Sequence, residues 1–198
     1  MGKNGGQAKI DWRERLMFNV LRRIRRLHLD RLLRVGGSLY SFNEYFKGFE
    51  KIETVRKVFG SETDEVLRNL KVEFTWVGGY MWVNPLDGHL TVSSHYLNSG
   101  DRVDIYLDII HELVHVKQFM EGKELFDSEY SYGERPTEIE AYRIAVEEAR
   151  SLGLSEERIC QYLKTEWMSN EDLAKLCAAV GVDCGFQSSA KEMLREKT

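Results

Sequence analysis

The chain has 198 residues, 42% hydrophobic and 30% charged, with a net charge of -4. That length is enough for one domain with a substantial core, and the balance excludes disordered, collagen-like and disulfide-dense secreted chains. The opening MGKNGGQAKI holds no apolar run and no 18 uncharged apolar residues occur together, so neither a secretory signal nor a membrane span is legible, and a soluble cytoplasmic protein is expected.

Residues 1–10 are glycine-rich and polar, and are expected to be disordered. Residues 11–70 read as an N-terminal helical region. Its first part, 11–35, keeps a stripe of Leu16, Val20, Leu21, Ile24, Leu27 and Leu32 at helical spacing while arginines crowd the rest. Residues 1–35 carry 10 Lys/Arg against 3 Asp/Glu. Three partners suit such a face: the acidic remainder of the chain, a nucleic acid, or an anionic membrane surface. Gly36 and Gly37 end the pattern. Ser41 with Glu44 then reads as a capping box for a helix to about Phe59, and Ser61 as the cap of a shorter one to about Leu70.

From Lys71 the period changes to two. Val72, Phe74 and Trp76 alternate with polar residues, Gly78-Gly79 suits a tight hairpin, and residues 80–83 continue to the turn Asn84-Pro85-Leu86-Asp87-Gly88 and a third strand over 89–94. A three-stranded meander is predicted. His89 and His95 are spare histidines at turn and strand-end positions.

Residues 101–122 form the most informative stretch. Asp101 suits an N-cap, Gly122 falls where a helix stops, and His111-Glu112-Leu113-Val114-His115 is an H-E-x-x-H pattern. On a helix the two histidines stand one turn apart on one face, the spacing two imidazoles need to hold one metal ion. Glu112 lies beside them, where a carboxylate can take a proton from an activated water. Asp104, Asp108, His111, His115 and Gln118 make one polar stripe on an otherwise apolar helix, so that stripe needs a metal, a cleft or internal partners.

A third ligand must come from elsewhere. Gln118 and Glu121 stand where the metzincin version of the motif carries glycine and histidine, so that version is absent. A second helix is expected from Pro136, and on it Glu138 falls in the middle of the arc made by Ala141, Tyr142, Ala145, Val146, Ala149 and Leu152, whereas Glu140 points away. A carboxylate on a buried face wants a cation, which favours Glu138 over Glu140, Glu134 or Glu121. Between these helices Tyr130 and Tyr132, with His95 upstream, are candidate donors to the oxyanion of amide hydrolysis.

The combination resembles a gluzincin-type metallopeptidase, whose third ligand is a glutamate on a later helix. Glu138-Ile139-Glu140-Ala141-Tyr142 is similar to the E-x-E-A-D or E-x-E-A-N element of prenyl-protein and heat-shock membrane proteases and of small soluble radiation-response and immunity-repressor proteases. The resemblance spans about residues 75–152 and implies Zn2+ held by His111, His115 and Glu138. It also implies that the strand over 89–94 offers a free edge to an extended substrate peptide. Tyr142 replaces the family's Asp or Asn, which orients a ligand histidine; a tyrosine hydroxyl would have to make that hydrogen bond.

Beyond Gly153, Ser155 and Ser169 read as caps of two further helices, and Cys160, Cys177 and Cys184, odd in number and without C-x-x-C spacing, as buried or free thiols rather than a disulfide framework or a second zinc site. The expected fold is α+β and zincin-like, with a short, mostly antiparallel sheet packed on the metal helix and its glutamate-bearing partner. Residues 71–153 would form the core, and 154–198 C-terminal helices and a tail. The expected function is hydrolysis of a peptide or protein by a small zinc peptidase with Glu112 as general base. The alternative is a zincin fold with little turnover that binds or regulates, reaching a nucleic acid or another anionic partner through its arginine-rich segment.

Overall fold

The computed structural model describes residues 28–29, 38–76 and 79–185. Six strands and eight α-helices are defined among them: β1 (His28–Leu29), β2 (Leu39–Ser41), α1 (Phe42–Tyr45), β3 (Phe46–Lys47), α2 (Glu53–Phe59), α3 (Thr63–Asn69), β4 (Lys71–Thr75), β5 (Met81–Val83), β6 (Leu90–Ser93), α4 (Ser94–Ser99), α5 (Arg102–Met120), α6 (Pro136–Ser151), α7 (Glu156–Leu163) and α8 (Asn170–Val180). The architecture is mixed α+β, a small four-stranded sheet with helices around it. No helix among the described residues is long and apolar enough to cross a membrane.

The sheet departs from the expected meander. Its order is β2-β4-β6-β5, with β2–β4 and β5–β6 antiparallel and β4–β6 parallel. No hairpin joins β4 to β5; the chain passes from β4 to the sheet edge and returns through the 84–88 turn to insert β6 between them. The reason is burial. All four residues of β6 are buried, the pattern of an interior strand, whereas β4 alternates with Val72 and Phe74 inward. The edge beside the long helices is therefore β5, and the expectation of a free edge over 89–94 is corrected. The turn itself is as its residues predict: Asn84 Oδ1 accepts from the Leu86 N–H, and Gly88 sits at φ 76 with the Phe119 ring so close that a Cβ would lie 2.5 Å from it.

The N-terminal half is also more broken than its periodicity suggests. The predicted 11–35 helix lies outside the described residues except at His28–Leu29, which pair antiparallel with Phe46 and Lys47. The arginine-rich face, and with it the nucleic-acid or membrane contact, lies outside them as well. The helix expected from Ser41 to Phe59 is split into α1, β3, a 3-10 turn over Phe49–Lys51 and α2, and Ser41 makes no capping bond. The run is broken at Gly48, which sits at φ 96, while Phe42, Phe46 and Phe49 still pack their rings together and Phe46 also meets Phe74 of β4. Ser61 likewise caps nothing, because a 3-10 turn, Gly60–Glu62, precedes α3.

At the other end the caps hold. Ser155 accepts from the Arg158 N–H at 3.2 Å and Ser169 from the Asp172 N–H at 3.0 Å. The cysteines depart from expectation: Cys160 and Cys184 form a disulfide and only Cys177 is free, its Sγ 2.8 Å from that of Cys184. Gly181, at φ 69, ends α8 and turns residues 182–184 back toward α7, so residues 24 apart in sequence meet.

One hydrophobic core spans the molecule and includes Val72, Val92, Ile105, Ile109, Leu113, Ala145 and Leu163. α5 lies at its centre. It packs most extensively on α6 and also on α2 and β5, so its polar stripe faces the cleft between β5 and α6.

Candidate metal centre

α5 begins where Asp101 accepts hydrogen bonds from the backbone of Val103 at 2.8 Å and Asp104 at 3.3 Å. Nineteen residues then run to Met120 without a break, which carries His111 and His115 into the interior as i, i+4 neighbours. α6 starts at Pro136, so Glu138 lies in its first turn, where the positive end of the helix favours a carboxylate.

These three side chains meet. The Nε2 atoms of His111 and His115 are 2.9 Å apart, and the Glu138 carboxylate lies 3.3 Å from the first and 3.5 Å from the second. A tetrahedral ion with ligands at about 2.0–2.1 Å requires ligand atoms about 3.3 Å from one another. The separations bracket that value. All three residues are buried, and Glu138 Oε2 has no hydrogen-bond donor of good geometry. A buried carboxylate oxygen facing two imidazole nitrogens is a donor set that fits a divalent cation.

Glu138, rather than Glu140, occupies the site. Glu140 receives bonds from Gln118 Nε2 at 2.9 Å and Lys123 Nζ at 3.0 Å on the outer side of α6. Glu134 pairs with Lys175 and Glu121 with Lys117 and Lys123, all away from the histidines.

The electrostatics are those of a site holding a proton among its three side chains. Burial works against ionisation of Glu138, but His111 and His115 hold its carboxyl well below the usual range. Burial also opposes protonation of His115; Glu138, Glu112 and Gln118 outweigh it and raise the imidazole to about 9. Burial lowers His111. Glu112 is buried beside them and pushed up to about 8, with His115 opposing the shift. Its Oε2 has no hydrogen-bond partner, while the backbone of Val83 on β5 approaches the same carboxyl.

Two cavities meet at Glu112. One of about 310 Å³ is bounded by His111, His115, Glu138, Arg135 and the β5 residues Met81, Trp82 and Val83. The other, about 490 Å³, extends past Asp108, Tyr96 and Tyr162. His111, Glu112, Met81, Tyr132 and Trp167 border both. Asp108 is pushed up to about 7 by burial, despite the Tyr96 hydroxyl that donates to it at 2.5 Å.

Of the three candidate donors, Tyr132 reaches both cavities, His95 is exposed and borders only the larger, and Tyr130 is exposed and borders neither. His89 is occupied elsewhere, by Asp87, Glu73 and Thr91. The expectation for Tyr142 is corrected. Its ring packs 4.3 Å from that of His111, its hydroxyl meets that of Tyr132 at 3.0 Å, and His111 Nδ1 has no partner.

The residue that does orient a histidine is Gln118. Its Oε1 accepts from His115 Nδ1 at 2.7 Å and its Nε2 donates to the Thr137 carbonyl at 3.0 Å, tying α5 to the start of α6. The signal was in the sequence, since Gln118 continues the polar stripe one turn beyond His115. Only the packing of α6 shows what it touches. The chain matches no family model, and neither a curated protein nor a solved structure is detectably similar to it.

Proposed function

We propose that the protein is a zinc-dependent peptidase of gluzincin type, with His111, His115 and Glu138 as ligands and Glu112 as general base. The observation that supports it is the convergence of two imidazole nitrogens and one carboxylate oxygen at tetrahedral spacing, next to a second carboxylate that ligates nothing. Zinc bound by the three would supply Lewis-acid activation of a water and of the substrate carbonyl.

The chain's own groups account for the rest. Glu112 is buried, has one free oxygen and is raised toward neutrality, so it can accept a proton from a water and return it to the leaving amine. Tyr132 lines the cleft beside the three side chains, and its hydroxyl, which also meets that of Tyr142, is the candidate donor to the negative charge that would develop on the carbonyl oxygen. β5 is the sheet edge beside Glu112, and an extended peptide adding to it would be read through its backbone.

The test is direct. Protein reconstituted with zinc should bind one ion per chain and cleave unstructured polypeptides. Glu112→Gln should keep the ion and lose roughly 10²–10⁴ in rate. A chain that takes up no divalent ion, or a Glu112→Gln variant as active as the parent, would overturn the reading.

A further inference from the structure

We propose that the 490 Å³ cavity beside Glu112 is a subsite for a lysine or arginine side chain of the substrate, with Asp108 as its counter-charge. The occupant's being a peptide rests on the peptidase reading; the cavity's preference for a cationic side chain does not.

Charge comes first. Asp104, Asp108, Glu112 and Glu166 border the cavity against a single ammonium group, Lys164, which is exposed. Asp104 is bound by Arg158. Asp108 has no ion pair among the described residues; the Tyr96 hydroxyl donates to it, and a neutral donor leaves its charge uncompensated. A cation entering the cavity would supply what the fold withholds.

The polar lining points the same way. Tyr162 is 8% exposed and its hydroxyl, beside Asp108, closes no well-formed hydrogen bond. Burial without a partner costs free energy unless a ligand atom completes the bond. The ammonium or guanidinium group that pairs with Asp108 also carries protons for such an oxygen, which an apolar side chain lacks.

Shape suits a long stem with a charged end. Tyr80 packs tilted against Tyr96 at 4.6 Å and edge-on against Trp167 at 5.0 Å, which gives the cavity an aromatic wall along which methylenes can lie and a cation can rest. Asp108 precedes His111 by three residues on α5, so it lies on the same face about one turn away. A side chain projecting from a residue next to the cleaved bond would cover that distance.

Binding decides the matter without turnover. Zinc-loaded Glu112→Gln protein is titrated calorimetrically with two short peptides that differ only in lysine against norleucine, which keeps the stem and removes the charge. The lysine peptide should bind at least about tenfold more tightly, and Asp108→Asn should abolish the difference. Equal binding, or no binding of either peptide, overturns the subsite, as does a preference that survives in folded Asp108→Asn. If Asp108→Asn does not fold, the lysine–norleucine comparison on the Glu112→Gln protein decides alone. Lysine preference in a chain that cleaves nothing leaves the subsite standing and removes the peptidase reading; cleavage indifferent to lysine does the reverse.

Discussion

His115 donates from Nδ1 to the Gln118 Oε1 at 2.7 Å, and this bond fixes which imidazole nitrogen faces Glu138. Gln118 is itself held by the Thr137 carbonyl, so the orientation of a histidine on α5 depends on the first turn of α6. Gln118→Ala should lower zinc affinity roughly 10–100-fold while leaving the fold intact. Competition with a chromogenic chelator measures it, and unchanged affinity would show that packing alone aims the ring.

The two glutamates of α6 should separate cleanly. Glu138→Gln removes an anionic ligand from the buried site and should weaken metal binding by on the order of 100-fold or more, beyond the loss expected for an orienting residue. Glu140→Gln acts on the outer face, where Lys123 and Gln118 meet it, and should leave metal stoichiometry as it is. Metal analysis of both after dialysis against a weak chelator is sufficient.

Tyr132→Phe probes the cleft hydroxyl. Loss of one oxyanion donor costs on the order of 10²-fold in kcat, with metal content and KM nearly constant. A change confined to KM would assign the residue to substrate packing instead.

The metal-free site should be sensitive to alkaline pH. His115 titrates at about 9 in the fold against an ordinary 6.5, so its contribution to stability is complete below about 6.5 and is lost as pH rises through 9. Glu112, raised from 4.5 to about 8, acts in the same direction, since its neutral form is the one the fold favours. Bound zinc needs His115 without its proton on Nε2. The increase in Tm produced by zinc should therefore grow between pH 6.5 and 9. Thermal melts with zinc and with chelator test this, and a difference that shrinks over that range would contradict it.

Thiol content provides a check independent of the metal. Protein purified without reductant and unfolded in denaturant should titrate one thiol per chain, Cys177, and three after reduction. Three thiols without reduction would mean that Cys160 and Cys184 are unpaired.

The trio of His111, His115 and Glu138 was legible in the residues because helix geometry is local. Four residues of helical backbone fix the angle between His111 and His115, and the apolar arc of residues 141–152 places Glu138 inward whatever it packs against. The caps at Asp101, Ser155 and Ser169 followed for the same reason. Strand neighbours did not. β4, β5 and β6 follow one another in sequence, and alternation reports only which face is buried, so nothing local says that β6 enters between the other two. Gln118, Tyr142 and the Cys160–Cys184 pair are likewise long-range facts.

The sequence by itself determined the chemistry that can be assembled: two imidazoles and a carboxylate able to take an ion, and a free glutamate between the histidines. Tertiary structure decided that they meet, that β5 rather than β6 is the edge beside them, that the Tyr142 hydroxyl goes to Tyr132, and that Asp108 borders a cavity with no ion-pair partner among the described residues. Periodicity is set by the backbone within a few residues, while contact between distant segments depends on how side-chain volumes and burial balance over the whole chain.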